Sequence, residues 1–250
     1  MKGETMKDYN EFAEIYDHVY IGTKGDLKFY LMQAKKARGN VLEIACGTGR
    51  ILLPLLKNGI NIEGIDLSAK MLDVLRKKAK TMGLEPNVWK ANMQNFNANK
   101  KYDLVIVPYR AFNHVESSED QIKTLKNFKK HLKKGGKLII NFFYPSFTIM
   151  AKRNGVKTKR DTVLIKGVKY FRQEQIYYEP MKQLIRATSF LTDAKGHTCK
   201  VLPMHLCYIY KKEFELLLRA AGFKTWNVYG GFNGESLKDE KQEMVWIIRK

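Results

Sequence analysis

Between residues 41 and 144 the chain alternates between two kinds of segment. Short apolar runs stand at 41–45 (VLEIA), 61–66 (NIEGID), about 87–90, 102–107 (YDLVIV) and 137–144 (KLIINFFY). Runs of this length, too short for helices, are the pattern of strands buried on both faces. Helical segments separate them. ILLPLLKNG stops at Gly59, and Pro54 falls early enough to sit near its first turn. Ser68 caps the next, where Met71, Leu72, Leu75, Ala79 and Met82 share a face and Gly83 closes the helix. Ile122, Leu125, Phe128 and Leu132 recur at three- and four-residue steps before a stop at Gly135-Gly136. Such alternation demands right-handed crossovers, and so predicts a parallel, doubly wound α/β sheet.

The flanks read differently. Residues 10–19 and 26–37 predict two helices before the first strand, the second carrying Leu27, Tyr30, Leu31 and Ala34 on one stripe. From about 160 to 210, apolar and polar residues alternate with a period of two, which predicts antiparallel hairpins, one turning at Asp193-Ala194-Lys195-Gly196. A helix at 211–221 and strands at 223–230 and 242–249 complete the chain. We divide it into N-terminal helices (1–38), a core (39–150), an inserted antiparallel β unit (151–210) and the core's last helix and two strands (211–250).

Charge needs weighing. Lys and Arg number 45 against 25 Asp and Glu, a net charge of +20, which invites a nucleic-acid reading. Only 10 of the 45 are Arg, the residue suited to bidentate phosphate recognition. The densest run, Lys123 to Lys137, places Lys123, Lys126, Lys129, Lys130, Lys133 and Lys134 mostly off the apolar stripe, so a solvated helix face is favoured over a nucleic-acid surface. No apolar run approaches the roughly 20 residues of a bilayer helix, and the first residues lack an apolar signal core. A cytoplasmic chain without membrane attachment is expected. Three widely spaced cysteines, Cys46, Cys199 and Cys207, argue against a disulfide scaffold or a four-cysteine zinc site, and no metal is expected.

The sharpest local signal is the first strand, its glycine loop Cys46-Gly47-Thr48-Gly49, the following helix, and Asp66 at the end of the second strand. Gly47 and Gly49 let backbone approach a ligand, and Asp66 can accept hydrogen bonds from both hydroxyls of a ribose. Dinucleotides and S-adenosylmethionine are both held this way. A dinucleotide loop wants a third glycine where this chain has Leu52, and a Walker loop wants G-K-[ST], which is absent. Glu43, an acid inside the first strand, suits a ligand bearing an ammonium better than one bearing phosphates. A tight turn alone would account for the glycines but not for Glu43 and Asp66.

VLEIACGTGR, GIDLSAKML, ANMQNF, YDLVIVPYRAFNHV and LKKGGKLII, in that order, resemble the motifs of class I S-adenosylmethionine-dependent methyltransferases. The resemblance implies a Rossmann-like seven-stranded sheet with its last strand antiparallel, S-adenosylmethionine as cofactor and S-adenosylhomocysteine as product. Tyr20-Ile21-Gly22, Ala91-Asn92 and Phe112-x-His114 are similar to glycine N-methyltransferase, and the group includes amino-sugar N,N-dimethyltransferases. By this likeness Asp66 binds the ribose, while Leu67 and Met93 sandwich the adenine, with Asn92 on its exocyclic amine, and Pro108 is a further cofactor-binding residue. Ala45, Gly47 and Gly49 line the methionine portion, Glu43 faces its ammonium, and Tyr20 lies near the sulfonium. The likeness has gaps. The relatives' arginine for the cofactor carboxylate, shortly after Tyr-Ile-Gly, has only Lys24 and Lys28 as candidates, and Arg110 replaces a neutral amide, which disfavours glycine as substrate.

His114, with an ordinary pKa near 6.5, is the candidate base for an amine or hydroxyl nucleophile; a pocket-shaping histidine is the alternative. Arg110 is the candidate anchor for an anionic group of the substrate, or for the cofactor's own carboxylate. The reading is thus methyl transfer to a small molecule, amine favoured over hydroxyl. An RNA or protein methyltransferase, suggested by the charge, and a catalytically silent binder of S-adenosylmethionine are the alternatives.

Overall fold

The structure is a computed structural model and describes residues 9–250; the start of the expected N-terminal unit, residues 1–8, lies outside them. Residues 9–12 are helical, and after a turn helix α1 spans Tyr16–Val19. There follow α2 (Asp26–Ala37), β1 (Val41–Ile44), α3 (Leu52–Lys57), β2 (Ile62–Asp66), α4 (Ala69–Thr81), β3 (Asn87–Lys90) and β4 (Tyr102–Val107). Next come a 3₁₀ turn (Ala111–His114), α5 (Ser118–His131), β5 (Leu132–Phe143) and α6 (Phe147–Arg153). Four strands then run in sequence: β6 (Asp161–Ile165), β7 (Val168–Glu179), β8 (Leu184–Thr192) and β9 (Thr198–Cys207). Last are α7 (Lys211–Ala220), β10 (Thr225–Tyr229) and β11 (Glu243–Arg249).

Seven strands form one sheet in the order β10-β11-β5-β4-β1-β2-β3. The pairs β1–β2, β1–β4, β2–β3 and β4–β5 are parallel, whereas β11 runs antiparallel to β5 and β10. Successive strand residues feed opposite cores, as a pleated strand requires. Leu42, Ile44, Val105, Val107 and Ile140 meet Leu125 and Phe128 of α5 and Phe214 and Leu218 of α7. Val41, Leu104, Ile106 and Ile139 meet Tyr30 of α2, Leu52 and Leu55 of α3, and Leu72 and Leu75 of α4.

The inserted strands make a separate four-stranded antiparallel sheet, β6-β7-β8-β9. Val163, Ile165, Leu191 and Leu202 pack on Phe12, Val19, Tyr20 and Met71, while Ile176, Ile185 and Leu206 pack on Met150 and Tyr208. The turn after β8 closes by Gly196 N–H to the Asp193 carbonyl at 3.2 Å, as predicted. In α5, Gln121, Thr124, Leu125, Phe128 and His131 are buried while Lys123, Lys126 and Lys130 face solvent.

Three expectations change. The helix of residues 10–19 is broken by a turn. The Gly135-Gly136 pair does not end α5. That helix stops at His131, Leu132 already pairs with Tyr102, and the glycines occupy an irregularity between the Tyr102 and Leu104 pairings. Helix α6 was not anticipated. It is seven residues long, too short to show a periodic stripe, and is capped by Ser146 accepting from Ile149 N–H at 3.1 Å.

Candidate active site

Strand β1 ends at Ile44 and the chain turns over β2 through Ala45 (φ 55°), Gly47 (φ 53°) and Gly49 (φ 84°). Asp66 stitches this loop to the next helix: Oδ2 accepts from Gly47 N–H and Oδ1 from Ser68 N–H, each at 2.8 Å. Ser68 is the cap of α4, its Oγ accepting from Met71 N–H at 3.1 Å and donating to Asn10 Oδ1 at 2.7 Å. Burial raises the Asp66 pKa, opposed by the amides of Ser68, Gly47 and Leu67.

The two glycines differ. A Cβ on Gly47 would meet nothing within 4 Å, so its face is open. A Cβ on Gly49 would strike Leu75 and Leu53 at 2.8–2.9 Å, so this glycine lets α3 and α4 pack against the loop.

Glu43 is 3% exposed and its Oε2 has no hydrogen-bond partner. Burial raises its pKa well above the ordinary value; Arg50 opposes the rise, and Asp66 and Asp26 add to it. A buried carboxylate left this way is costly unless a cation joins it. The donor set therefore fits S-adenosylmethionine: an acid for ribose hydroxyls, an orphaned carboxylate oxygen for an ammonium, and an open Gly47 face between.

Around the predicted adenine position, Leu67 is 40% exposed and Met93 is partly buried against the core; Pro108, directly after β4, is buried. Asn92 Oδ1 accepts from Gln94 N–H at 2.9 Å, which fixes the side chain at the end of β3.

After β4, Tyr109 (φ 53°) and Arg110 (φ 65°) both take left-handed backbone, a strain that surrounding structure must impose. Fully buried Asn141 imposes it: its Oδ1 accepts from Tyr109 N–H at 2.9 Å and Tyr30 Oη–H at 2.8 Å, and its Nδ2 donates to Glu243 Oε1 at 2.8 Å. Arg110 closes the network, donating from Nε to Glu243 Oε1 at 3.1 Å and from Nη2 to Oε2 at 2.8 Å. The guanidinium read as an anion anchor thus already holds a carboxylate of its own chain.

His114 ends the 3₁₀ turn. Its Nε2 lies 3.0 Å from Tyr9 Oη, and the His205 backbone carbonyl of β9 bonds the ring as well. A carbonyl can only accept, so Nδ1 carries the proton and Nε2 accepts from Tyr9. Desolvation lowers the His114 pKa to about 4, and the imidazole is neutral at pH 7. Its ordinary value, assumed from sequence, does not hold. No motif marks Tyr9; its sole signal in the sequence is membership of a tyrosine-rich opening, Tyr9, Tyr16 and Tyr20.

Tyr20 is 7% exposed, with Tyr16 5.0 Å and Phe12 6.3 Å away between ring centroids. Arg172 of β7 places its guanidinium 5.3 Å from the Tyr20 ring. It donates to the Val19 carbonyl at 3.1 Å, to Glu174 at 3.1 Å and to Ser189 Oγ. The second sheet is thus clasped to the N-terminal segment, which lies on the glycine loop.

Comparison with known proteins agrees with this architecture. The family profile described as "Methyltransferase domain" matches residues 41–136. The chain is 28% identical over 144 residues to the Bacillus subtilis protein YqeM, spanning 57% of that protein and 56% of this one. It is 21% identical over 236 residues to the dTDP-3-amino-3,4,6-trideoxy-alpha-D-glucopyranose N,N-dimethyltransferase of Streptomyces venezuelae, covering 91% of this chain and 96% of that one. The solved CcbJ methyltransferase of Streptomyces caelestis superposes with a TM-score of 0.81 at 22% identity, covering 97% of each chain. Residues 41–136 thus match a methyltransferase domain, and the chain has the fold of the solved methyltransferase. Among the described residues no helix is long and apolar enough to cross a membrane.

Proposed function

We propose that this methyltransferase acts on an amine nitrogen of a small molecule. One observation carries the reading: the tyrosine-rich N-terminal segment and the second sheet close together over the C-terminal edge of the seven-stranded sheet, beside His114. A segment and a sheet packed together at this edge can exclude water from a compact substrate. The relative from S. venezuelae, named as an amino-sugar N,N-dimethyltransferase and matched along nearly its whole length, supports nitrogen as the acceptor.

The cofactor, when bound, supplies a methyl group on sulfur that an amine lone pair can take. In this reading Asp66 holds the ribose hydroxyls, Glu43 the ammonium, and the backbone of Ala45, Gly47 and Gly49 the chain between them. Leu67, Asn92 and Met93 surround the adenine, and Pro108, after β4, is a further cofactor contact. Tyr20 and Tyr16 wall the reacting end. Tyr9 keeps its hydroxyl proton on His114 and offers its oxygen lone pairs to an amine N–H, which orients the nucleophile; alignment is what such a displacement most needs. His114 is then a positioning residue. An anionic group on the substrate would have to share Arg110 with Glu243. Residues 39–150 and 211–250 hold the cofactor, the described part of 1–38 caps it, and 151–210 act as a lid.

The test is transfer of labelled methyl groups into a panel of small amines, alcohols, RNA and peptides. Label on an amine nitrogen supports the proposal; label confined to RNA or protein overturns it.

A further inference from the structure

Arg50 follows the glycine loop, and sequence gave it no role. The fold carries its guanidinium to the N-terminal segment, where a Cβ on Gly22 would come within 2.2–2.9 Å of Nη1, Cζ and Nε. Only glycine leaves room for it there. The opposite side meets the Tyr109 ring, 5.2 Å from Cζ to centroid. Asp26 holds the fork in two-point contact, Nη1 to Oδ1 at 3.0 Å and Nη2 to Oδ2 at 2.7 Å. Asp26 is 3% exposed and is itself fixed by Thr23 N–H at 3.2 Å.

A guanidinium has five N–H donors, and Asp26 takes two. Among the described residues no other acceptor bonds Arg50. The side chain stays about one quarter exposed, at 24%. Three donors therefore remain on a fork held rigid by Asp26 and the Tyr109 ring, one residue beyond the glycine loop. Of all charges acting on the orphaned Glu43, that of Arg50 is the largest. A fixed cation just after the glycine loop, and on the strand before it a buried carboxylate with one unpartnered oxygen, form a recognition pair for a zwitterionic α-amino acid end, cation to carboxylate and carboxylate to ammonium. Lys24 and Lys28 do not compete. Both are exposed, and Lys28 lines a hollow on the outer side of α2 with Lys35, Lys36 and Arg38.

We propose that Arg50 binds the carboxylate of the cofactor's amino-acid end, with Asp26 as the residue that positions the guanidinium. This rests on the assignment of the loop to S-adenosylmethionine.

The experiment is calorimetric titration of two ligands, S-adenosylhomocysteine and 5′-methylthioadenosine, which share the adenosine and the thioether. The second lacks the amino-acid end. Arg50→Met should weaken S-adenosylhomocysteine about 10- to 100-fold, the loss of charge-assisted hydrogen bonds, and leave 5′-methylthioadenosine within about twofold. Arg50→Lys keeps the charge and most of the volume; its loss should be smaller and again confined to S-adenosylhomocysteine. Asp26→Asn should show the same selectivity. Equal losses for both ligands in Arg50→Lys, or no loss in Arg50→Met, would overturn the proposal. If the unaltered protein binds 5′-methylthioadenosine but not S-adenosylhomocysteine, Arg50 is refuted and the adenosine site stands. Binding of neither overturns the cofactor assignment and the proposal with it.

Discussion

Tyr9 and His114 are joined at 3.0 Å between Oη and Nε2, across 105 positions of sequence. The bond ties the N-terminal segment to the loop after β4, and β9 holds the other side of the ring through the His205 carbonyl. Three parts of the chain therefore converge on one neutral imidazole. That imidazole, with a pKa of about 4, is a poor proton acceptor for catalysis at pH 7.

Tyr9→Phe and His114→Ala should each lower kcat by about 3- to 10-fold, the worth of a neutral hydrogen bond. The double variant should lose little more than either one, because they remove the same contact. Steady-state kinetics on the cycle checks this. The pH profile of kcat/KM should show no ionisation near 6.5 that disappears in His114→Ala. Stability moves too. The folded pKa is below the unfolded value, so the unfolded state binds more protons, and acid weakens the protein between about pH 6.5 and pH 4. The loss from this group is at most about 3 kcal/mol and should vanish in His114→Ala.

Glu43 has the opposite sign. Its folded pKa is raised, so the folded state binds more protons and stability falls as pH rises from the ordinary carboxylate value through the raised one. Glu43→Gln should flatten that dependence and raise the melting temperature of the ligand-free protein near pH 7, by roughly 2–4 °C per kcal/mol recovered. It should at the same time weaken S-adenosylhomocysteine. Melting curves across pH, with and without ligand, measure both.

The Arg110–Glu243 pair braces two left-handed residues. Glu243→Ala leaves Arg110 unpaired and Asn141 without its acceptor, and should cost about 1–3 kcal/mol of stability in denaturant unfolding. Arg110→Lys, unable to reproduce the fork, should lose about 1 kcal/mol with unchanged S-adenosylhomocysteine affinity. An affinity loss there would instead put Arg110 on the cofactor carboxylate.

Arg172 clasps the second sheet to Val19 and Tyr20. Arg172→Ala should speed amide exchange in β7 and β8 and in residues 16–20, and raise KM for the acceptor about 2- to 10-fold. Exchange mass spectrometry and acceptor kinetics test the clasp together.

What is legible in the sequence follows from the range of the forces involved. The alternation through residue 144, the Ser68 cap and the Asp193–Gly196 turn depend on neighbours in sequence, and all were legible. Leu132 fits the apolar step of α5 by composition but is claimed by Tyr102 of β4, a partner 30 positions away. Likewise Glu43 and Asp66 announced themselves by place on strands. Tyr9, Arg50 and Glu243 did not, because their roles come from contacts the fold creates: Tyr9 with His114, Arg50 with Gly22 and Asp26, Glu243 with Arg110.

Asp66 is the point on which the account turns, since its two oxygens already gather Gly47 and Ser68 where the ribose is assigned. Titration of S-adenosylhomocysteine into the protein and into Asp66→Ala, followed by calorimetry, measures its part directly. The account predicts one ligand per chain and a loss of affinity of about 10- to 150-fold in the variant. Unchanged affinity in a folded Asp66→Ala protein would contradict it.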